Sequence, residues 1–264
     1  MLGAIAGDIF GSVHEWAGTK TKDFPLLAPS STYTDDSVLT VAVAEWILTG
    51  QNLVDIFHTY FHTYPDRGYG GMFHQWALDR VRRPYNSFGN GAAMRVSPVG
   101  FAFQTIEEVL ARVEESAAVT HSHPEGIRGA QATAAAIFFA RQGWDKDEIR
   151  GTLESSFGYD LHTALEHIRL TYRFDETCQG TVPQALVAFF ESGSYEDAIR
   201  NAISLGGDAD TLACITGGVA EAYYAGVPPE LVARVMPMLD EQLVSVIHRF
   251  RERFGLRQGD VGAS

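Results

Sequence analysis

Apolar residues recur along this chain with the spacing of α-helices almost from end to end. Leu2, Ile5, Ile9 and Val13 stand at i, i+3, i+7 and i+11, the stripe of an amphipathic first helix. Val38, Leu39, Val41, Ala42, Trp46 and Ile47 predict a second helix over Ser37–Thr49, stopped by Gly50. Thr105, with Glu108 three residues on, has the form of a capping box and opens a helix running to about Ala118. Pro124 opens an alanine-rich helix over Glu125–Arg141. Further helical stripes cover Asp145–Ser156, Leu161–Thr171, Pro183–Glu191, Asp197–Ser204, Thr211–Tyr224, Pro229–Val235 and Leu239–Phe254. Period-2 alternation is nearly absent, as is the βαβ rhythm of a parallel sheet. The expectation is one all-α domain over residues 1–264, with ten or more helices and a frayed tail after Arg257. The longest irregular stretch, about Thr63–Ser97, is glycine-rich and too long for a passive connection, which marks it as a functional loop.

Composition narrows the function classes. The 264 residues carry 20 Lys+Arg against 33 Asp+Glu, a formal charge of −13, with no basic block to displace counterions from nucleic-acid phosphates. General nucleic-acid binding is therefore not expected, and an anionic ligand would have to be met by local amides and a few placed cations. No apolar run approaches the length that spans a bilayer. The opening Met1-Leu2-Gly3-Ala4-Ile5-Ala6-Gly7-Asp8 lacks the basic n-region of a secretory signal. Cys178 and Cys214 have no metal or redox spacing, so two buried thiols in a reducing cytoplasm are expected.

Four segments stand out from the helical background. Thr34-Asp35-Asp36-Ser37 precedes the second helix; adjacent aspartates diverge by about 100° within a helix, yet at its entry turn both reach one point beyond its end. With the Thr34 hydroxyl they form a hard-oxygen set suited to magnesium or manganese, although an acidic N-cap has the same appearance. Gly206-Gly207-Asp208-Ala209-Asp210-Thr211 has the same chemistry before a later helix, its i and i+2 carboxylates pointing to one side. Brought together, the four carboxylates would repel unless cations neutralised them, and two divalent ions would do so. Asp8 and Glu15, seven residues apart with Gly11 and Ser12 between, fall on one face of the first helix: room for a metal cluster, or a solvated small-residue groove. Last, Gly89-Asn90-Gly91-Ala92-Ala93-Met94-Arg95 and Thr120-His121-Ser122-His123-Pro124 offer backbone amides, one cation and His121 to phosphates. His123 reads as a helix-entry residue.

Taken in order, these segments and Asp66-Arg67-Gly68-Tyr69-Gly70-Gly71 resemble the ADP-ribosylglycohydrolase family over most of the chain. The resemblance implies an all-α orthogonal multi-helix bundle with two divalent cations, Mg2+ or Mn2+, in a central cleft. It implies Thr34, Asp35, Asp36, Asp208, Asp210 and Thr211 as metal ligands. Glu15, with Asp36 and Asp208, would serve catalysis. Gly89, Asn90, Gly91, Ala92, Met94 and His121 would contact the ADP-ribose diphosphate and adjoining ribose. The implied reaction is hydrolysis of the C1″ glycosidic bond of an ADP-ribosylated protein or small ADP-ribose conjugate by a monomeric, cytoplasmic enzyme. A free derivative such as O-acetyl-ADP-ribose, and a non-catalytic crystallin-like role, are the alternatives. One departure is Ser37, where the family more often has threonine; serine keeps the hydroxyl and loses a methyl.

Overall fold

The computed structural model describes residues 1–256; the frayed tail expected after Arg257 lies outside the described residues. The chain is all-α. Its helices are α1 (Leu2–Gly11), α2 (Asp35–Thr49), α3 (Leu53–Thr63), α4 (Gly71–Leu78), α5 (Gly91–Met94), α6 (Ser97–Ala102), α7 (Ile106–Ala118), α8 (Pro124–Arg141), α9 (Lys146–Phe157) and α10 (Leu165–Thr171). They continue as α11 (Cys178–Phe190), α12 (Tyr195–Ile203), α13 (Ala209–Tyr223), α14 (Pro229–Val235) and α15 (Glu241–Arg253), with a 3-10 turn at Met236–Met238. One isolated bridge pairs Gly89 with Thr177. Among the described residues no helix is long and apolar enough to cross a membrane.

The long helices lie close to their sequence expectations, and the differences have local causes. The first helix ends at Gly11, not beyond Val13, and Glu15 follows in a turn rather than on the helix face shared with Asp8. Thr105 caps α7 by accepting the Glu108 N–H at 3.2 Å, and Asn52 caps the unexpected α3 with its side-chain oxygen. α10 starts at Leu165, not Leu161, because Asp160 holds the His162 N–H at 3.0 Å and the Thr163 hydroxyl at 2.9 Å in a competing turn. α11 begins at Cys178, so Pro183 lies inside the helix rather than at its start. Thr177 caps it, and Asp175 holds Thr177 through its N–H at 2.8 Å and its hydroxyl at 2.7 Å. The stretch expected to be irregular over Thr63–Ser97 contains α4 and α5.

α1 and α13 form the axis of the bundle. A Cβ on Gly7 would sit 2.1 Å from the Ala213 carbonyl oxygen, and one on Gly11 would sit 2.4 Å from Asp210 Cα. The two backbones therefore touch where any side chain would hold them apart. That contact buries the stripe of small residues and brings Asp8 beside the first turn of α13. α8 crosses the bundle packed by α5, α6, α7, α9, α11 and α13, its buried Ala130, Ala132, Ala134, Ala135 and Ala136 allowing close approach from several sides. Cys178 and Cys214 are both buried free thiols.

Candidate active site

The starts of α2 and α13 meet at the wall of a cavity of ≈ 460 Å³. Thr211 donates its hydroxyl to Asp36 Oδ2 at 3.3 Å, joining the two aspartate segments directly. Glu15, Thr34, Asp35, Asp36, Asp208, Asp210 and Thr211 all line this cavity. Two carboxylate triads, Asp8–Asp36–Asp210 and Glu15–Asp208–Asp210, each bring one oxygen per residue within 4.8 Å of the others, and Asp210 belongs to both.

Local structure fixes these groups. At the entry of α2, the Thr34 hydroxyl donates to Asp8 Oδ1 at 2.7 Å and accepts the Asp36 N–H at 3.3 Å. Asp8 Oδ2 accepts the Thr34 N–H at 2.9 Å, the Ser37 N–H at 3.1 Å and the Ser37 hydroxyl. The Asp35 N–H donates to the Arg67 carbonyl at 2.7 Å, while the Arg67 guanidinium lies 3.7 Å over the Tyr33 ring and donates to its hydroxyl at 2.8 Å. At the entry of α13, Gly206 and Gly207 take φ values of 61° and 122°, a turn that L side chains rarely adopt. Asn90 donates to Asp208 Oδ2 at 2.6 Å and to Thr181 Oγ1 at 3.1 Å.

Burial raises the pKa values of these carboxylates, and their crowding adds to the shift at Glu15, Asp35, Asp36 and Asp210. Burial pushes Asp8 up to about 6, although four hydrogen bonds pull the other way. Burial, then the charges of Asp8, Asp35 and Asp208, hold Asp36 well above the carboxylate range. Asp210 is raised by burial and then by Asp36 and Asp208; Asp35 by burial and then by Asp8 and Asp208. Asp208 is raised by burial, in part offset by its hydrogen bonds. Half-buried Glu15 reaches about 6 through burial and the charge of Asp208. Asp36 Oδ1 is buried with no hydrogen-bond partner among the described residues, a position that a protein normally fills with a donor or an ion. Hard oxygens, repelling carboxylates and an unsatisfied oxygen at their centre fit divalent cations.

Across the cavity, Gly89, Asn90, Gly91, Met94 and His121 line the wall, whereas the Ala92 side chain is buried away from it. The loop is pinned to the start of α11 by the Asn90 N–H on the Glu176 carbonyl at 2.8 Å and the Cys178 N–H on the Phe88 carbonyl at 2.9 Å. Ala93 and Met94 N–H groups return to the Asn90 carbonyl, which leaves the Gly91 and Ala92 amides without a backbone partner among the described residues. His121 Nε2 lies 3.1 Å from where a Gly91 Cβ would stand, so a side chain there would cover it. His123 is the N-cap of α8, accepting the Glu125 N–H at 3.1 Å, the helix-entry role expected of it.

The sequence put Asp8 on a face with room for a metal cluster but not among the ligands, and it assigned Arg67 no contact. The signal for Asp8 was its place between Gly7 and Gly11, whose closeness to α13 only the packing reveals. Phe174, Glu176 and Thr177 also line the cavity and belong to no segment singled out in the sequence.

Comparison with known proteins agrees with this geometry. The family model described as ADP-ribosylglycohydrolase matches residues 1–260. ADP-ribosylhydrolase ARH3 of Mus musculus is 27% identical over 305 residues, covering 85% of this chain and 82% of its own length. ADP-ribosylarginine hydrolase Tri1 of Pseudomonas putida is 29% identical over 155 residues, covering 56% of this chain and 42% of its own. A solved structure described as an ADP-ribosylglycohydrolase-related protein complex superposes with a TM-score of 0.71 at 26% identity, over 94% of this chain and 95% of that one. The chain belongs to the ADP-ribosylglycohydrolase family and is a glycosidic-bond hydrolase.

Proposed function

We propose that this protein hydrolyses the C1″ glycosidic bond of ADP-ribosylated substrates, releasing ADP-ribose, with the help of two divalent cations held by its carboxylate cluster. The observation that carries this reading is the pair of carboxylate triads sharing Asp210 on one wall of a cavity whose other wall is the Gly89–Met94 loop with His121. One cation would lie with Asp8, Asp36 and Asp210 and the other with Glu15, Asp208 and Asp210, with Thr34, Asp35 and Thr211 supplying further oxygens. Bound magnesium or manganese would neutralise the cluster and polarise ribose hydroxyls and water.

The remaining roles fall to the chain itself. The Thr34 and Thr211 hydroxyls donate to Asp8 and Asp36, which leaves acceptor capacity on both oxygens for a cation. Asn90 keeps Asp208 turned toward it. Glu15, raised to about 6 and facing the cavity, is suited to moving a proton at the leaving group or at the attacking water. Neighbouring carboxylates favour the positive charge that develops on the ribose as the bond breaks. The Gly91 and Ala92 amides and His121 would hold the diphosphate, which explains how a chain of charge −13 accommodates an anion. The two buried free thiols accord with work in the cytoplasm.

The test is a panel of ADP-ribose conjugates with arginine, serine and O-acetyl linkages, assayed with magnesium, with manganese and with excess chelator. Release of ADP-ribose from at least one conjugate, lost in chelator and restored by either metal, supports the reading. Undiminished turnover in chelator overturns the cation role, and AMP as product overturns the bond assignment.

A further inference from the structure

Arg95, expected from the sequence to offer a cation to phosphates, is the largest fully buried side chain among the described residues, and the proposed function gives it no role. It follows the glycine loop and lines the cavity, with its guanidinium carbon 4.5 Å over the Phe57 ring. Nη2 donates to the Ser116 carbonyl at 3.1 Å and to Thr120 Oγ1 at 2.9 Å. Nε and Nη1 have no hydrogen-bond partner among the described residues. A buried, unpaired cation is costly, so one that survives in a fold is expected to serve something nearby. Burial lowers its pKa only to about 10, so it is charged at neutral pH.

The group it serves is His121. Thr120 Oγ1 lies 2.7 Å from His121 Nδ1. Because Arg95 can only donate, the Thr120 oxygen accepts from it and keeps its own proton for another partner. Two groups beside that hydroxyl can accept its proton, His121 Nδ1 and the Tyr85 phenol oxygen, and of these the unprotonated imidazole nitrogen is the stronger acceptor. Were Nδ1 protonated instead, the Thr120 oxygen would accept from both Arg95 and His121 and its proton would have to turn to Tyr85. Burial and the Arg95 charge together push the His121 pKa well below its usual value, in keeping with a neutral ring.

We infer that Arg95 and Thr120 form a relay that locks His121 as the neutral Nε2–H tautomer, its N–H aimed into the cavity beside Gly91 as a donor to an anionic oxygen of the ligand. Arg95 and Thr120 are positioning residues in this arrangement, and Arg95 adds a fixed positive charge behind the donor. The inference deepens the proposed function and rests on it for the identity of the anion, here the diphosphate.

The tautomer is measurable without substrate. In the full chain with 15N-labelled histidine, long-range 1H–15N correlation at pH 7 should show an unprotonated His121 Nδ1 and a protonated Nε2. Thr120→Val removes the hydroxyl at nearly constant volume and should abolish that preference, whereas Thr120→Ser should retain it. In parallel, Thr120→Val should weaken ADP-ribose binding and raise KM by about tenfold, with kcat changed by less than about threefold, and Thr120→Ser should restore both. An Nδ1–H or doubly protonated His121 in the unmodified protein overturns the relay, as does a Thr120→Val variant with unaltered tautomer and affinity. A protein that shows the Nε2–H form and the Thr120→Val change but binds no ADP-ribose upholds the relay and overturns the substrate assignment.

Discussion

Asp8 of α1 and Ser37 of α2 are joined twice, the Asp8 carboxylate accepting the Ser37 N–H at 3.1 Å and the Ser37 hydroxyl as well. Together with Thr34, which donates to Asp8 through its N–H at 2.9 Å and its hydroxyl at 2.7 Å, they make a cap for α2 supplied by another helix. The first turn of α2 is thereby held in place by a residue that itself belongs to the carboxylate cluster. Serine at position 37 supplies the one side-chain donor that this geometry uses.

Ser37→Ala should therefore destabilise the protein by about 1–3 kcal/mol, because it leaves a fully buried carboxylate short of a donor. Denaturant unfolding measures the cost. Ser37→Thr keeps the donor and should lie closer to the parent protein than Ser37→Ala in the same assay.

The helix axis gives a second prediction. A side chain at Gly11 meets backbone, Asp210 Cα at 2.4 Å and the Ala209 carbonyl at 2.5 Å, and backbone cannot swing aside. Gly11→Ala should cost about 1–3 kcal/mol or more by separating α1 from α13, and should weaken divalent-cation binding because Asp8 and Asp210 part. Gly71→Ala, where nothing lies within 4 Å of the added carbon, is the matched control and should unfold like the parent. Equal stability of the two variants would show that the close approach of α1 and α13 is not as described.

Much of this was legible in the residues alone, and the failures share a physical pattern. Long helices were visible because one buried stripe repeats through them, as in α7 and α15. α5 and α6, with 4 and 6 residues, are shorter than any window in which periodicity has meaning. α3 carries Val54, Ile56, Phe57, Thr59, Tyr60 and Phe61, β-branched and aromatic residues of weak helix propensity, and is held by packing against α2 and α4. Pro183 looked like a helix start because proline favours that position, but Thr177 with Asp175 starts α11 earlier. At the site, the aspartates were legible because two short motifs with the same unusual chemistry precede two helices. Glu15 lines the cavity, but not from the helix face on which its spacing from Asp8 put it: α1 ends before it and a turn carries it there. The partnership of Asp8 with Ser37, and of Arg95 with Thr120, depends on tertiary contacts that no local spacing encodes.

The proposed chemistry makes a third prediction. Asp208→Asn and Asp36→Asn each remove one charge from the cluster at constant volume, so the fold should persist while ADP-ribose release falls by about two orders of magnitude or more. Asn90→Ala should lower activity less, because it frees Asp208 Oδ2 without removing it. Circular dichroism alongside product analysis separates lost chemistry from lost structure. Near-normal turnover in either aspartate variant would place the reaction elsewhere.

The raised carboxylates imply a fourth prediction, about pH and cations together. Asp8 is raised to about 6, and Asp35, Asp36, Asp208 and Asp210 are raised as well, chiefly by burial. The folded protein therefore binds protons at this cluster more tightly than the unfolded chain does. The cluster's contribution to stability is fully present below about pH 4, where both states are protonated, and is lost as pH rises through the raised folded values, about 6 for Asp8. In excess chelator the melting temperature should consequently fall between pH 5 and pH 7.5 by more in the parent protein than in Asp36→Asn, which has one fewer charge to accommodate. Magnesium or manganese should raise the melting temperature at pH 7.5 by several degrees and at pH 5 by much less, because protons compete for the same oxygens. Melting curves across that pH range, with and without cation, decide it: a cation effect independent of pH, or equal in the parent and Asp36→Asn, would mean that the ions bind away from this cluster.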